Sequence, residues 1–471
     1  MTDKLEYHIP DDASLSAEDI ILGANNIGFD SLLSIKKVQM PEDTERYNEQ
    51  GYPFLITEGE FHKTLPVLDT SKIWFTPSLT RPLLYYNPDT LAAACHLEHV
   101  FIQGDSAAKK IEGLVQHMEE AVAQKDFRGS IQALPEAARM EYFNLLLEKY
   151  SDELQSIPNL FLLFIGNYLT VSYGFDRLHP QTFRAIIGLR LPEQAQAVQA
   201  ELAPFPDVIQ VYRGGSEDIS LPPERAYSWS TSIRSALFFA GRLTGSSGYI
   251  AVGTVSKDKV IYSDMGSSER EVIVFPEDVS IEDTLHLSSI EELEPTIQKV
   301  TARYQLYRSM LPHLDFNMDS DLHGRLHSAR VLLLALMIAE LMHLPDADRH
   351  TLSMAAIFHD SRRDNDGEDQ EHGQLSAQYY RESFKDYDPV ADLVIKYHCL
   401  PDKEGYKAIE KMFALSEEKT RARKLFDIFK DADGLDRVRF GWKSLDLNQL
   451  RYAESKTLPL FAMKSVHNIT L

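Results

Sequence analysis

The period of the apolar residues changes twice along this chain, and nothing else constrains its fold as tightly. From "DSAAKKIEGLVQHMEEAVAQ" through "AARMEYFNLLLEKYSDEL", apolar residues recur three and four apart, the spacing of a helix with one buried face. From about residue 208 the pattern becomes short β-branched or aromatic runs: "VIQVYRGG", "AYSWSTS", "GYIAVGTV", "DKVIYSD" and "REVIVFP". Gly, Pro and Asp punctuate them, as expected of strands and turns. After Pro276 a charged stretch leads back into helical periods. From 301 onward nearly every segment reads helical, including "HSARVLLLALMIAELMH", "RHTLSMAAIFHD" and "TRARKLFDIFKDADGLDRVRF". A chain of 471 residues is also too long for one ordinary domain. The expectation is a multidomain α+β protein. It has an N-terminal region over 1–125, a β-rich domain with a helical lead-in over 126–290, and an all-α domain over 300–471. "YNEQGYP", "TPSLTRP" and "YYNPDT" predict a loop-rich, partly β texture in the first hundred residues, to which no role is assigned.

Composition narrows the function classes. Hydrophobic residues make up 44% of the chain, enough for real cores. A formal charge of −23 argues against broad nucleic-acid binding, which needs clustered Lys and Arg. Cys95 and Cys399 are the only cysteines, so no disulfide framework exists and a reducing compartment is expected. The opening "MTDKLEYHIPDD" is polar and acidic, unlike a signal peptide. The longest pure apolar run, Val331–Ala339, is far short of the roughly 20 residues of a membrane span. A cytoplasmic protein without membrane partners is expected, or one delivered into another cell's cytosol by machinery that reads other signals.

Within the β-rich middle, three motifs follow one another in order. Arg213 ends a strand and is followed by Gly214 and Gly215. "SWSTSIRSALFFA" sets Ser230, Thr231 and Ser232 on a second strand, ahead of a helix with Ala236, Phe239 and Ala240 at core-facing spacing. "SSEREVIVF" then presents Glu269 and Glu271 at the mouth of a third strand. Period-two geometry points both carboxylates to one face and Arg270 to the other.

This ordered set resembles the mono-ADP-ribosyltransferases of the Arg-Ser-Glu class, over about 208–280 with the preceding helices as lead-in. The resemblance implies NAD as co-substrate. Breaking its bond between nicotinamide and ribose develops oxocarbenium-like charge, which a fixed carboxylate stabilises more strongly as it builds. That role falls to Glu271. Arg213, with Gly214 beside it, would hold the diphosphate or ribose, since a guanidinium offers forked, permanent donors. Ser230 would orient Glu271, with Thr231 and Ser232 supporting its strand. In the family, a glutamate in the position of Glu269 accompanies transfer to arginine side chains, because a second carboxylate binds, aims and deprotonates the guanidinium.

The helical C-terminal region carries a different constellation. His327 opens an apolar run, His359 and Asp360 are adjacent in "AAIFHDSRR", and Asp431, Asp433 and Asp436 lie in "FDIFKDADGLDRVRF". Imidazole and carboxylate together suit borderline or hard divalent metals: Mn, Fe, Mg, Ni, Co or Zn. The order His, His-Asp, Asp resembles the HD superfamily of metal phosphohydrolases over about 315–471. The resemblance implies His327, His359, Asp360 and Asp433 as metal ligands, Asp433 being chosen as the residue before Gly434. Asp431 becomes a supporting or merely neighbouring carboxylate. His372 and His398 stand where some members place extra histidines, for a second metal, a phosphate contact or protonation of a leaving group. Arg362 and Arg363 are candidate phosphate contacts or surface groups. "DNDGEDQE" lacks the ligand pattern of a calcium loop and reads as a solvated acidic loop.

The pairing is similar to the SidE-type effectors, which ADP-ribosylate ubiquitin on arginine and process the product with a phosphodiesterase, although here the order of domains is reversed. The expectation is a bifunctional enzyme: a protein-arginine ADP-ribosyltransferase joined to a metal phosphohydrolase that processes its product, with ubiquitin one candidate acceptor. The alternatives are a toxin-like transferase whose HD domain hydrolyses an unrelated nucleotide, or one degenerate domain that binds ADP-ribose or a partner.

Overall fold

The computed structural model describes residues 63–75, 83–97, 99, 105–171, 175–216, 220–241, 247–318, 320, 322–367 and 369–468. The turn-rich "YNEQGYP" and "TPSLTRP" and the polar N-terminus lie outside them. The chain forms two compact units, residues 1–194 and 195–471.

The first unit has a three-stranded antiparallel sheet of β1 (Ile73–Phe75), β2 (Leu83–Asn87) and β3 (Ala92–Cys95), in that order. Every residue of β2 is buried. Helices α1 (Asp105–Ala123), α2 (Arg128–Ala133), α3 (Glu136–Tyr150), α4 (Leu160–Tyr168) and α5 (Pro180–Ile187) follow. The apolar α4 is core: Phe164 meets Phe143 and Phe183 edge-on, at 5.0 and 5.5 Å. Among the described residues, no helix is long and apolar enough to cross a membrane.

The second unit is built on a six-stranded antiparallel sheet. Its strands are β4 (Val208–Ser216), β5 (Ser228–Ser230), β6 (Gly248–Ser256), β7 (Tyr262–Asp264), β8 (Glu271–Ile273) and β9 (Val279–Leu287), and the order across the sheet is β7-β8-β5-β4-β6-β9. Both faces are covered, and the period-two alternation decides which residue serves which. Val211, Trp229, Ala251 and Val272 pack into one apolar cluster, while Tyr212 and Ile250 join another. Edge strand β9 lies inside the charged stretch that sequence reading took for a connection. One side of it faces water, so its residues are largely polar and its period is hard to see.

Helix α6 (Ile233–Gly241) lies across β4 at Gly214, where a Cβ would fall 1.7 Å from the carbonyl oxygen of Ala236. Gly214 therefore permits a helix to touch a strand. Ala236, Leu237 and Ala240 are the buried residues of α6 here, and the expected Phe239 is only half-buried.

The helical part begins with α7 (Ile290–Arg308), started by a capping box in which Ser289 and Glu292 satisfy each other's backbone amides. It continues through α8 (Arg325–Leu341), α9 (Asp346–Phe358), α10 (His372–Ser383), α11 (Pro389–Tyr397), α12 (Asp402–Met412), α13 (Ser416–Leu435) and α14 (Pro459–Asn468). Helix α8 is buried on nearly every side from His327 to Glu340, which explains its unbroken apolar run. Its core is continuous with the sheet: Tyr212, Leu237, Ile250 and Leu287 belong to the same cluster as Leu332, Leu336, Phe358 and Phe429.

Candidate metal centre and strand-borne carboxylate site

Five helices bring four histidines and two aspartates together. His327 lies in the first turn of α8, His359 and Asp360 follow α9, His372 opens α10, His398 caps α11, and Asp433 lies in the last turn of α13. All except the half-buried Asp433 are nearly excluded from solvent.

Each ring is fixed through Nδ1. His359 donates to the carbonyl of Ala356 (2.8 Å), His372 to Asp369 (2.9 Å) and His398 to Ile395 (2.7 Å), while His327 donates to the Asp436 carboxylate (2.7 Å). These bonds place the proton on Nδ1 and leave every Nε2 lone pair facing inward. The Nε2 atoms of His327 and His359 lie 3.1 Å apart, and those of His372 and His398 lie 3.0 Å apart. Bare lone pairs at such distances repel unless a cation lies between them.

Asp360 joins the two pairs. Its Oδ2 is 3.5 Å from His327 Nε2 and 3.8 Å from His359 Nε2, and its Oδ1 is 3.0 Å from His372 Nε2 and 3.4 Å from His398 Nε2. Asp433 Oδ1 completes the first group, 3.4 Å from His327 Nε2. An ion about 2.1 Å from two ligands holds them about 3.0 Å apart at a right angle and about 3.4 Å apart at a tetrahedral one. Most of the observed separations fall in that range, so His327, His359, Asp360 and Asp433 could hold a divalent ion, and Asp360 also faces His372 and His398 at ligand spacing.

Burial works against a charged His327, but its bonds to Asp433 and Asp436 raise its pKa in the absence of an ion; the other shifted groups suit ligation. Burial pushes the His359 imidazole down to about 3, which keeps it neutral and able to ligate. Burial opposes ionisation of Asp360 and Asp433, yet the surrounding histidines hold both carboxyls well below their ordinary range.

Three sequence readings change here. Asp431 is no part of this centre: it accepts from the backbone amides of Arg451 and Tyr452 and from Arg451 Nη1 (2.8 Å), anchoring the C-terminal segment. On α13 it stands two residues from Asp433, about 200° around the helix, so it serves a different neighbour. Arg362 lies over the Tyr379 ring (3.7 Å) and pairs with Asp315, and Arg363 binds the carbonyls of Asn365 and Gly367. Both arginines fix loops. The residue that sequence reasoning passed over is Asp436, which orients His327 and takes a forked pair of bonds from Arg330 (2.6 and 3.1 Å). The signal was its place one helical turn beyond Asp433.

The second candidate site lies at the sheet. Arg213, Ser230 and Glu271 stand on the adjacent strands β4, β5 and β8, with Tyr212 opposite Ser230 and Ser230 opposite Glu271. Arg213 Nη1 donates to Ser228 O (2.7 Å), and its Nε is buried without a hydrogen-bond partner.

The hydroxyl that holds Glu271 is that of Ser228, not Ser230. Ser230 instead donates to the backbone carbonyl of Glu269 (2.5 Å), Thr231 N donates to Arg270 O (3.0 Å), and Ser232 N donates to Ser230 Oγ (2.9 Å). The Ser-Thr-Ser run thus clamps the turn before β8. Glu269 lies in that turn, because β8 starts only at Glu271 and Arg270 has φ +50°. A left-handed residue breaks the period-two relation, so strand geometry does not align the two carboxylates.

Burial pushes the Glu271 carboxyl up to about 7. The Ser228 hydroxyl opposes this, the charge of Glu269 adds to it, and Arg213 opposes it.

No curated protein and no solved structure matches the chain. The family model of the HD domain matches residues 326–438, a span that holds His327, His359, Asp360, His372, His398 and Asp433. The chain thus contains an HD domain over 326–438, which supports a metal-dependent phosphohydrolase-type function.

Proposed function

We propose a two-site enzyme whose better supported activity is phosphohydrolysis at a two-metal HD centre. The observation that carries it is Asp360, one carboxylate whose two oxygens each face a histidine pair at ligand spacing. Divalent ions there would supply Lewis acidity toward a phosphoryl group. The chain's own part is to hold the imidazole Nε2 atoms inward through Nδ1, to keep Asp360 and Asp433 ionised, and to shield the centre from bulk water. Metal analysis of the purified chain tests it, with a screen of phosphate esters and pyrophosphates. Wild type should take up two divalent ions per chain and hydrolyse at least one class, and Asp360→Ala should lose both properties. An Asp360→Ala protein with unchanged metal content would refute the reading.

The second activity in the proposal is NAD-dependent ADP-ribosyl transfer to an arginine side chain. What supports it is Arg213, Ser230 and Glu271 on three adjacent strands, together with the unpartnered Arg213 Nε, a donor suited to a phosphate or ribose oxygen. In this reading Glu271 binds the ribose and answers its developing charge, Ser228 aims it, and Glu269 receives the acceptor guanidinium. The protein-bound product contains a pyrophosphate, one available target for the HD centre. Labelled NAD incubated with candidate acceptors, ubiquitin among them, tests both steps. Glu271→Gln should abolish labelling, and Asp433→Ala should let intact ADP-ribosyl protein accumulate where wild type removes AMP. Labelling by Glu271→Gln at the wild-type level would rule out the transferase. If wild type and Asp433→Ala both stop at ADP-ribose, the sites do not act in sequence.

A further inference from the structure

Arg439 lies one residue beyond the matched HD domain, in the short 3-10 helix Asp436–Phe440 that follows α13. Its side chain is only 7% exposed. Nη1 lies 3.3 Å from Asp436 Oδ2, and Nε is buried with no hydrogen-bond partner. Asp436 does not need this cation, because Arg330 already gives it two short bonds and His327 a third. Burial works against the Arg439 charge, and the charges of Asp436, Asp433 and Asp360 oppose that loss. Through Asp436, which bonds the His327 ring, the guanidinium stands next to the shell that orients a candidate ligand.

Leaving a guanidinium donor buried and unpaired is costly, so such a group implies a partner that arrives later. The two arginines next to the His-Asp pair are committed to loop carbonyls and to Asp315. His323 packs against the His327 ring, bonds Asp366 through Nδ1 and meets the Phe440 ring at 5.8 Å. Phe440 backs the Arg439 guanidinium at 4.2 Å and limits its rotation. With two divalent ions seated, the centre carries surplus positive charge, so the arriving partner is an anion.

We infer that Arg439 forms an anion subsite beside the metal centre and binds the non-bridging oxygens of a phosphoryl group. The inference rests on the metal-centre reading above. It makes Arg439 a substrate-binding residue, with Asp436 and Phe440 fixing its guanidinium.

The test uses the full chain loaded with manganese and inorganic phosphate as the probe. Calorimetry follows phosphate affinity, and elemental analysis follows metal per chain. Arg439→Ala should weaken phosphate about tenfold or more while keeping the wild-type metal content, since a hydrogen bond to a charged group is worth that much. Arg439→Lys should recover part of the loss, because it keeps the charge and gives up the fork. Unchanged phosphate affinity in Arg439→Ala would overturn the inference. So would loss of metal from both variants, which would make Arg439 a support for Asp436 and His327. Metal uptake by wild type without phosphate binding would remove the subsite and leave the metal centre standing. Failure of wild type to take up metal would remove both.

Discussion

At the scale of single residues, the outer hydrogen bonds matter as much as the ligands. Asp436 fixes the His327 tautomer, and replacing such an outer partner typically costs about 10–100-fold in metal affinity. Asp436→Asn should therefore weaken the His327, His359 and Asp433 half-site by about that factor and affect the His372 and His398 half-site less; competition with a chelator measures both. Glu271 gives a pH prediction independent of any activity. Its folded value of about 7 lies above the ordinary 4.5, so between those values the folded state keeps a proton that the unfolded chain has lost. Stability then falls as pH rises through that window. Glu271→Gln removes this loss, so its Tm should exceed wild type at pH 8 and approach it at pH 5. A constant Tm difference at both pH values would contradict the assignment.

At the scale of elements, the decisive contact is α6 on β4. The missing Cβ of Gly214 lets the helix backbone sit on the strand that carries Arg213. Gly214→Ala must push helix and strand apart, at a cost of about 1–3 kcal/mol or more for overpacking. Urea unfolding should report that loss, and a neutral substitution would mean the helix does not sit there. The sequence placed two glycines after Arg213 at an expected strand end, whereas the strand runs on to Ser216; the crossing was not legible, because close approach depends on an element 22 residues further along the chain. In the same way "SSEREVIVF" showed that two carboxylates meet a strand and did not show where the strand begins. The left-handed Arg270 sets that limit, and its conformation depends on the clamp from Ser230 and Thr231.

At the scale of the whole molecule, the sheet and the helices of the second unit share one core. A division near residue 300 would uncover Leu332, Leu336 and their neighbours on one side and Tyr212, Leu237 and Ile250 on the other. A fragment of residues 300–471 should therefore aggregate or unfold non-cooperatively, whereas one of residues 195–471 should melt in a single transition and keep its metal content. Equal behaviour of the two fragments would show that the shared core contributes little. The C-terminal segment belongs to the same account, since Asp431 pins Arg451 and Tyr452 and the backbone amide of Ser288 donates to the carbonyl of Thr457.

The sequence by itself determined what depends on local order. Apolar period set the helices and most of the strands, and the order of His327, His359, Asp360 and Asp433 along the helical region pointed to the candidate metal centre. His372 and His398 were legible as companions with three open roles, a second metal among them; their spacing to Asp360 Oδ1, which favours that role, came only with the packing. What the tertiary structure decided was the direction of each polar side chain. Asp431 and Asp433 are the same residue type two positions apart, and helical rotation sends one to Arg451 and the other to the histidines. Ser228 and Ser230 divide their partners on the same principle: which hydroxyl reaches Glu271 depends on strand register and on the turn opposite. Hydrogen bonds extend only about 3 Å, so their partners are fixed by the final packing, whereas hydrophobic period is written along the chain before any packing occurs.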